Sequence, residues 1–167
     1  APSRALYRAA EWSVSWIGEI VAVSPSEAEL ARPLSWGKPV HVVCDAYHGP
    51  LDGVPAPHAG TVIGACGRLT AARRPEAFVR LAGRLADSKE GPRWVWIGGG
   101  ADEGRVRNAA AEHGLQGRLE VTGWLEPDAA LDRMRGLDLF VHFSAWDALP
   151  NAVLEAMALG LPVIARD

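Results

Sequence analysis

The chain is poor in cysteine, in histidine clusters and in long apolar runs, and each shortage closes a class of function. Two cysteines in 167 residues, Cys44 and Cys66, lack the spacing of a metal site. Both fall in apolar segments read as buried strands, so they are expected to be reduced, inert core thiols of an intracellular protein. His48, His58, His113 and His142 are scattered through the sequence and fit no ligand pattern. No Asp-x-Asp pair is present for a divalent ion, and no Ser-His-Asp or Cys-His arrangement follows from spacing. No apolar run reaches the roughly 18 residues of a membrane helix, and no signal peptide opens the chain. Peripheral membrane contact is left open. A surplus of basic charge is missing too: the net charge is −3, which gives no footprint for nucleic acid.

What is present is the composition of a soluble globular domain, 49% hydrophobic and 22% charged. At 167 residues the chain is long enough for one domain with a substantial core. Its basic charge is carried almost wholly by arginine. Leu6, Ala9, Ala10, Val14 and Ile17 form a loose helical pattern. Ile20 to Val23 reads as a strand, with Ser26 placed to cap a following helix and Glu27 at its positive end. Val40 to Cys44 is a second strand, and the Pro-, Gly- and His-rich stretch from Tyr47 to Gly60 is a linker.

From residue 61 the pattern becomes regular. Apolar strands at Thr61–Cys66, Trp94–Ile97, Leu119–Thr122, Leu137–Phe143 and Pro162–Ala165 alternate with helices at Pro75–Leu85, Glu103–His113, Asp128–Arg135 and Asn151–Leu159. The first helix is expected to turn Phe78, Val79, Leu81, Ala82 and Leu85 inward, and Gly114 to stop the second. Strands apolar throughout imply a parallel sheet covered on both faces, with ligands at the carboxyl ends of the strands. The expected organisation is an N-terminal helix and strand segment with linker over residues 1–60, then an α/β domain over 61–167 with a Rossmann-like, doubly wound parallel sheet.

The stretch from Ser144 to Asp167 carries the sharpest signal. Pro150 suits the first turn of a helix and Gly160 its end, so free N–H groups face the strand ends as a prepared anion site. Val153, Leu154, Met157 and Ala158, with Leu161 beyond, are expected to form one buried stripe, with Glu155 turned away from it. Upstream, Gly67 lets the chain turn off its strand, placing Arg68 and Arg73 on the carboxyl-edge loop with Arg74 as a solvated neighbour. Gly98-Gly99-Gly100 could cradle phosphate or simply turn the chain; no Walker loop follows and no dinucleotide fingerprint is complete.

Asp147 and Glu155 flank Leu149-Pro150-Asn151 and are followed by Ala156-Met157-Ala158 and Gly160-Leu161-Pro162-Val163. This run resembles the signature of the group 1 (family 4) retaining glycosyltransferases, in which the first position is a Glu. Gly67-Arg68-Leu69 with Arg73 resembles the family's Gly-Arg-Leu and a following Lys, and Thr122-Gly123-Trp124-Leu125 resembles an element passing near the base. Ile20 to Ser26 and Val40 to Gly49 resemble the passage into the second Rossmann-like domain, though Ala46-Tyr47-His48-Gly49 stands in place of the usual Asn-Gly-Val-Asp turn.

The resemblance, from about Ile20 to Asp167, implies the C-terminal, donor-binding half of a GT-B fold enzyme, with the N-terminal acceptor-binding domain missing and the C-terminus truncated. Such a fragment is expected to be inactive alone. The activity implied is transfer of a sugar from a UDP-, GDP- or ADP-sugar to a hydroxyl acceptor, as in cell-envelope polysaccharide synthesis. The implied location is the cytoplasm or the inner face of the membrane. No cofactor or metal is implied. The residues implied to act in catalysis are Arg68, Arg73 and Asp147. Those implied to bind the donor are Gly67, Arg68, Arg73, Gly99, Trp124, Ser144, Asp147, Leu149, Pro150, Asn151 and Glu155. Asp147 is one methylene shorter than the family's Glu, and Ala148 replaces a Gly, which suggests a different donor sugar. Trp124 packs against the base or the protein itself, and Ser144 bonds a phosphate or caps its loop; both pairs of readings stay open. A nucleotide-sugar epimerase of related fold and a non-catalytic Rossmann-like binding domain are the alternatives.

Overall fold

The computed structural model describes residues 13, 16, 18–49, 59–86 and 91–166. By contacts the chain divides into two units, residues 1–46 with 148–150, and residues 47–147 with 151–167. Most of the expected N-terminal helix, most of the linker, His58 and Asp167 lie outside the described residues.

The smaller unit is a parallel strand pair, β1 (Ile20–Ala22) and β2 (Val40–Val42), connected through helix α1 (Pro25–Ala31) and a 3-10 turn at Arg32–Leu34. The helix cap is Ser24, not the expected Ser26. Its Oγ accepts from the Glu27 N–H at 3.2 Å, and the Glu27 carboxylate accepts from the Val23 N–H at 2.9 Å. Pro25 then fills the first helical position, where no N–H is needed. Cys44 stands past the end of β2 and is exposed, correcting its reading as a core thiol. A two-stranded pair buries little, and Val42 and Val43 are exposed beside it.

The larger unit is the expected parallel sheet, with strands β3 (Val62–Cys66), β4 (Arg93–Ile97), β5 (Leu119–Val121), β6 (Leu139–His142) and β7 (Val163–Ala165). The helices between them are α2 (Pro75–Arg84), α3 (Glu103–Glu112), α4 (Pro127–Arg135) and α5 (Asn151–Ala158). Strand order is β5-β4-β3-β6-β7, all parallel. The chain therefore steps outward from β3 to β5, returns beside β3 as β6, and proceeds the other way. The reversal between β3 and β6 is the topological switch point.

Strand alternation splits the core into two layers. Ile63, Ala65, Trp94, Trp96 and Val141 point to one face, where they meet Phe78, Val79 and Ala82 of α2 and Val106 and Ala110 of α3. Val62, Val95, Ile97 and Phe140 point to the other, against Met134 of α4 and Ala156 of α5. Phe78 is fully buried, edge-on to Trp94 and Trp96 with ring centroids 5.3 and 5.5 Å away. Leu85, expected inward, is exposed because α2 ends one residue before it.

The stripe of α5 is also rotated from the expected one. Ala156 and Leu159 are buried, with Ala152 and Val153 packed beside them, while Met157 is 62% exposed. Two alanines four residues apart let the helix sit close against the sheet.

The loops after β3 and β4 run tightly against each other. The Gly67 N–H donates to Ile97 O, the Leu69 N–H to Gly99 O, and the Asp102 N–H to Leu69 O, at 2.9, 2.9 and 3.1 Å. Gly98 has φ +129°, and a Cβ there would stand 2.3 Å from the Gly67 carbonyl oxygen. Gly98→Ala is accordingly expected to lower stability by about 1–3 kcal/mol from backbone strain alone, with a further cost from parting the loops. Chemical denaturation of the variant checks this; an unchanged midpoint would contradict the packing.

Candidate functional site

The loops leaving β3 and β6 meet at the switch point. Gly67, at φ +143°, turns the chain off β3, and fully buried Leu69 pins the loop down. A 3-10 turn at Ala71–Arg73 then leads into left-handed Arg74 and helix α2. The Ala145 N–H, from the loop after β6, donates to Ala72 O at 2.8 Å and ties the two loops together.

Arg73 spans this junction. Its Nη1 donates to Ser144 Oγ at 2.9 Å and forms an ion pair with Asp147 Oδ2. Ser144 is buried, and the side chains of Arg73 and Asp147 are 30% and 19% exposed. These charges therefore interact in a partly desolvated setting, where they are screened less than at an open surface. Arg68 lies on the same loop, exposed and without an ion-pair partner among the described residues.

Glu155 stands on α5, half-buried, and burial raises its carboxyl above the usual value of 4.5. It shares its surroundings with Arg73 through Cys66, at the end of β3. Burial chiefly, then the Glu155 charge, push the Cys66 thiol up to about 12 against a smaller opposing pull from Arg73. Cys66 is thus the inert thiol expected of it. A carboxyl raised in the fold adds most to stability below its unfolded value, and that contribution is lost as pH climbs through the higher folded value. Glu155→Gln removes this dependence. The variant should gain stability relative to the parent as pH rises from about 4 to 7, and parallel pH–melting curves would refute the shift.

The remaining candidates group apart from this cluster. Gly99 is buried beneath Trp124, whose Cδ1 would lie 3.0 Å from a Cβ added at Gly99. The Gly98 N–H donates to Thr122 Oγ1 at 3.0 Å, joining the turns after β4 and β5. The glycine run is required for these backbone approaches. Trp124 itself is 67% exposed at the same end of the sheet. Asn151 opens α5 and is exposed, while Leu149 and Pro150 are half-buried and group with the smaller unit.

His142 was missed. Sequence spacing leaves it among scattered histidines, yet it ends β6, two residues before Ser144. Its Nε2 lies 3.5 Å from Asp147 Oδ2. The signal available in the sequence was its place at the last position of an apolar strand, where alternation puts it on the face of Phe140.

A cavity of about 390 Å³ is found elsewhere, between β4, β5 and α4, lined in part by Trp94, Arg118, Glu120 and Arg133. None of the candidate residues borders it. Among the described residues no group of three or more His, Cys, Asp or Glu side chains could hold a metal ion, and no helix is long and apolar enough to cross a membrane.

Known proteins resemble the chain in sequence and in fold. Over 113 residues the chain is 36% identical to a 2-deoxystreptamine N-acetyl-D-glucosaminyltransferase of Streptomyces fradiae, covering 66% of this chain and 26% of that protein. It is 24% identical over 155 residues to the lipopolysaccharide core biosynthesis glycosyltransferase LpsE of Rhizobium meliloti, covering 87% and 43% of the two chains. The chain spans about a quarter of the length of the first of these relatives. In fold it resembles the sucrose-phosphate synthase of Thermosynechococcus elongatus, with a TM-score of 0.81, 17% identity and coverage of 99% and 46%. It also resembles Anabaena HepE in complex with UDP and glucose, with a TM-score of 0.78, 16% identity and coverage of 98% and 48%. The family described as glycosyl transferases group 1 matches residues 53–167, more than half of the sequence and all of the sheet just described, so the chain belongs to that family.

Proposed function

We propose that this chain binds the nucleoside-diphosphate sugar in a retaining glycosyl transfer to a hydroxyl acceptor. The observation that carries the reading is the cluster of Arg73, Ser144 and Asp147 at the switch point, with half-buried Glu155 nearby. As the glycosidic bond breaks, negative charge builds on the leaving diphosphate. Arg68, Arg73 and the N–H groups at the start of α5 stabilise that charge, which is electrostatic catalysis. Ser144 orients Arg73, and Asp147 meets hydroxyls of the donor sugar. Glu155 accepts from the ribose hydroxyls, while Gly67, Gly99, Trp124 and Asn151 shape the pocket. No metal is called for, because the chain's own cations do the neutralising.

The acceptor-binding half belongs to the same transferase, and the reaction belongs in the cytoplasm or at the inner face of the membrane. An acceptor in envelope glycan synthesis is favoured by the likeness to LpsE and to the Vi polysaccharide biosynthesis protein VipC/TviE of Salmonella typhi. The likeness to 2-deoxystreptamine transferases favours a small aminocyclitol as the second reading.

Thermal unfolding with UDP, GDP, ADP and a dinucleotide tests the donor assignment. One diphosphate, at about a hundred times its dissociation constant, should add roughly 2.7 kcal/mol, a few degrees in midpoint. Excess chelator should leave the shift intact. A response to the dinucleotide alone, or one abolished by chelator, would contradict the reading.

A further inference from the structure

His142 is buried, and its Nε2 has no hydrogen-bond partner among the described residues. Such an atom costs free energy unless some state of the protein uses it. Its neighbours indicate what that state is. Arg73 holds the Asp147 carboxylate, and the same carboxylate oxygen lies 3.5 Å from the imidazole, at the limit of hydrogen-bond reach. That oxygen has no hydrogen-bond partner among the described residues either; it is ion-paired with Arg73 and faces the imidazole as a second possible partner.

We propose that His142 is a positioning residue for Asp147, taking over its carboxylate when Arg73 turns to the diphosphate of a bound nucleotide. The inference rests on the donor-binding reading above and adds to it a residue and a proton. Arg73 cannot serve a diphosphate fully while paired with Asp147. When it leaves, the carboxylate stands partly desolvated with its charge uncompensated, a costly condition. His142 relieves it by closing a few tenths of an ångström and accepting one proton from solvent, becoming an imidazolium that donates to Asp147. Asp147 is then fixed while it meets the sugar hydroxyls.

The charges around His142 favour this order of events. In the free protein burial, then the Arg73 charge, hold the imidazole below its ordinary value of 6.5, so it is neutral at pH 7. Removing Arg73 takes away a repulsion and leaves Asp147 as the facing charge, which raises the imidazole. On the adjoining strand β7 side, the Arg166 N–H donates to the His142 carbonyl at 3.0 Å, while its side chain is exposed. Cys66 of β3, Glu155 of α5 and the exposed Arg68 of the loop after β3 are further titratable groups at this end of the sheet, the thiol being uncharged throughout.

Two measurements test the proposal. The first needs no ligand: NMR titration of the His142 imidazole in the parent and in Arg73→Gln. The imidazole should titrate at higher pH in Arg73→Gln and fall back when Asp147→Asn is added. An unmoved imidazole in Arg73→Gln overturns the proposal whether or not nucleotide binds. The second is calorimetry of UDP, GDP and ADP binding near pH 6.5 in two buffers of different ionisation enthalpy. The parent should take up protons with its preferred diphosphate. His142→Gln, which keeps an N–H donor but cannot titrate, should bind with little uptake, and His142→Leu roughly tenfold more weakly, as for one lost hydrogen bond. Equal uptake by parent and His142→Gln overturns the handover. If the imidazole shifts as expected but no diphosphate binds the parent, the donor reading has failed, and the trigger of the handover with it.

Discussion

Phe78→Ala is expected to cost about 3–5 kcal/mol, the range for truncating a fully buried aromatic. Phe78 has no exposed surface and sits edge-on between Trp94 and Trp96, at the centre of the layer between the sheet and α2 and α3. For a chain of this length that loss lowers the melting midpoint by on the order of 10 °C. Met157→Ala is the matched control. With Met157 62% exposed, its truncation should change stability by less than about 0.5 kcal/mol. Chemical denaturation of both variants reads the difference. Equal losses would mean that α5 packs in the register its larger side chains suggest, and not on its alanines.

Glu155→Ala should separate binding from stability. A charged acceptor to two ribose hydroxyls contributes about 1.5–3 kcal/mol per bond, so its removal should weaken the preferred diphosphate by roughly a hundredfold or more. The free protein should melt no lower at pH 7, because burial already disfavours the charged carboxylate. A residue that costs stability yet is required for ligand is the pattern expected of a binding site. Titration calorimetry with melting of the free variant checks both halves. A variant that binds as well as the parent would remove Glu155 from the site.

The contrast between Phe78 and Met157 also marks what was readable in the chain. Continuous apolar strands alternating with helices gave the sheet, because covered parallel strands have no polar face to interrupt them. The buried face of α5 differs from the one its larger side chains suggest, because the helix uses Ala152 and Ala156 to approach the sheet. Cys44 looked buried because Val40 to Cys44 is apolar, yet a lone strand pair leaves Val42 and Val43 open. Motif and position single out the candidate residues one by one. They do not give the contacts: Arg73 and Ser144 are 71 positions apart, and only the return of β6 beside β3 joins them. His142 escaped for the same reason, since its meaning depends on Asp147 folding back across the strand end.

The most direct measurement is a nuclear magnetic resonance titration of backbone amides with UDP, GDP and ADP in turn. One diphosphate should shift amides of residues 67–73, 144–147 and 151–155 together, and with them the amides near Gly99 and Trp124. Shifts gathered instead around the β4–β5–α4 cavity, or none with any diphosphate, would contradict a donor site at the switch point.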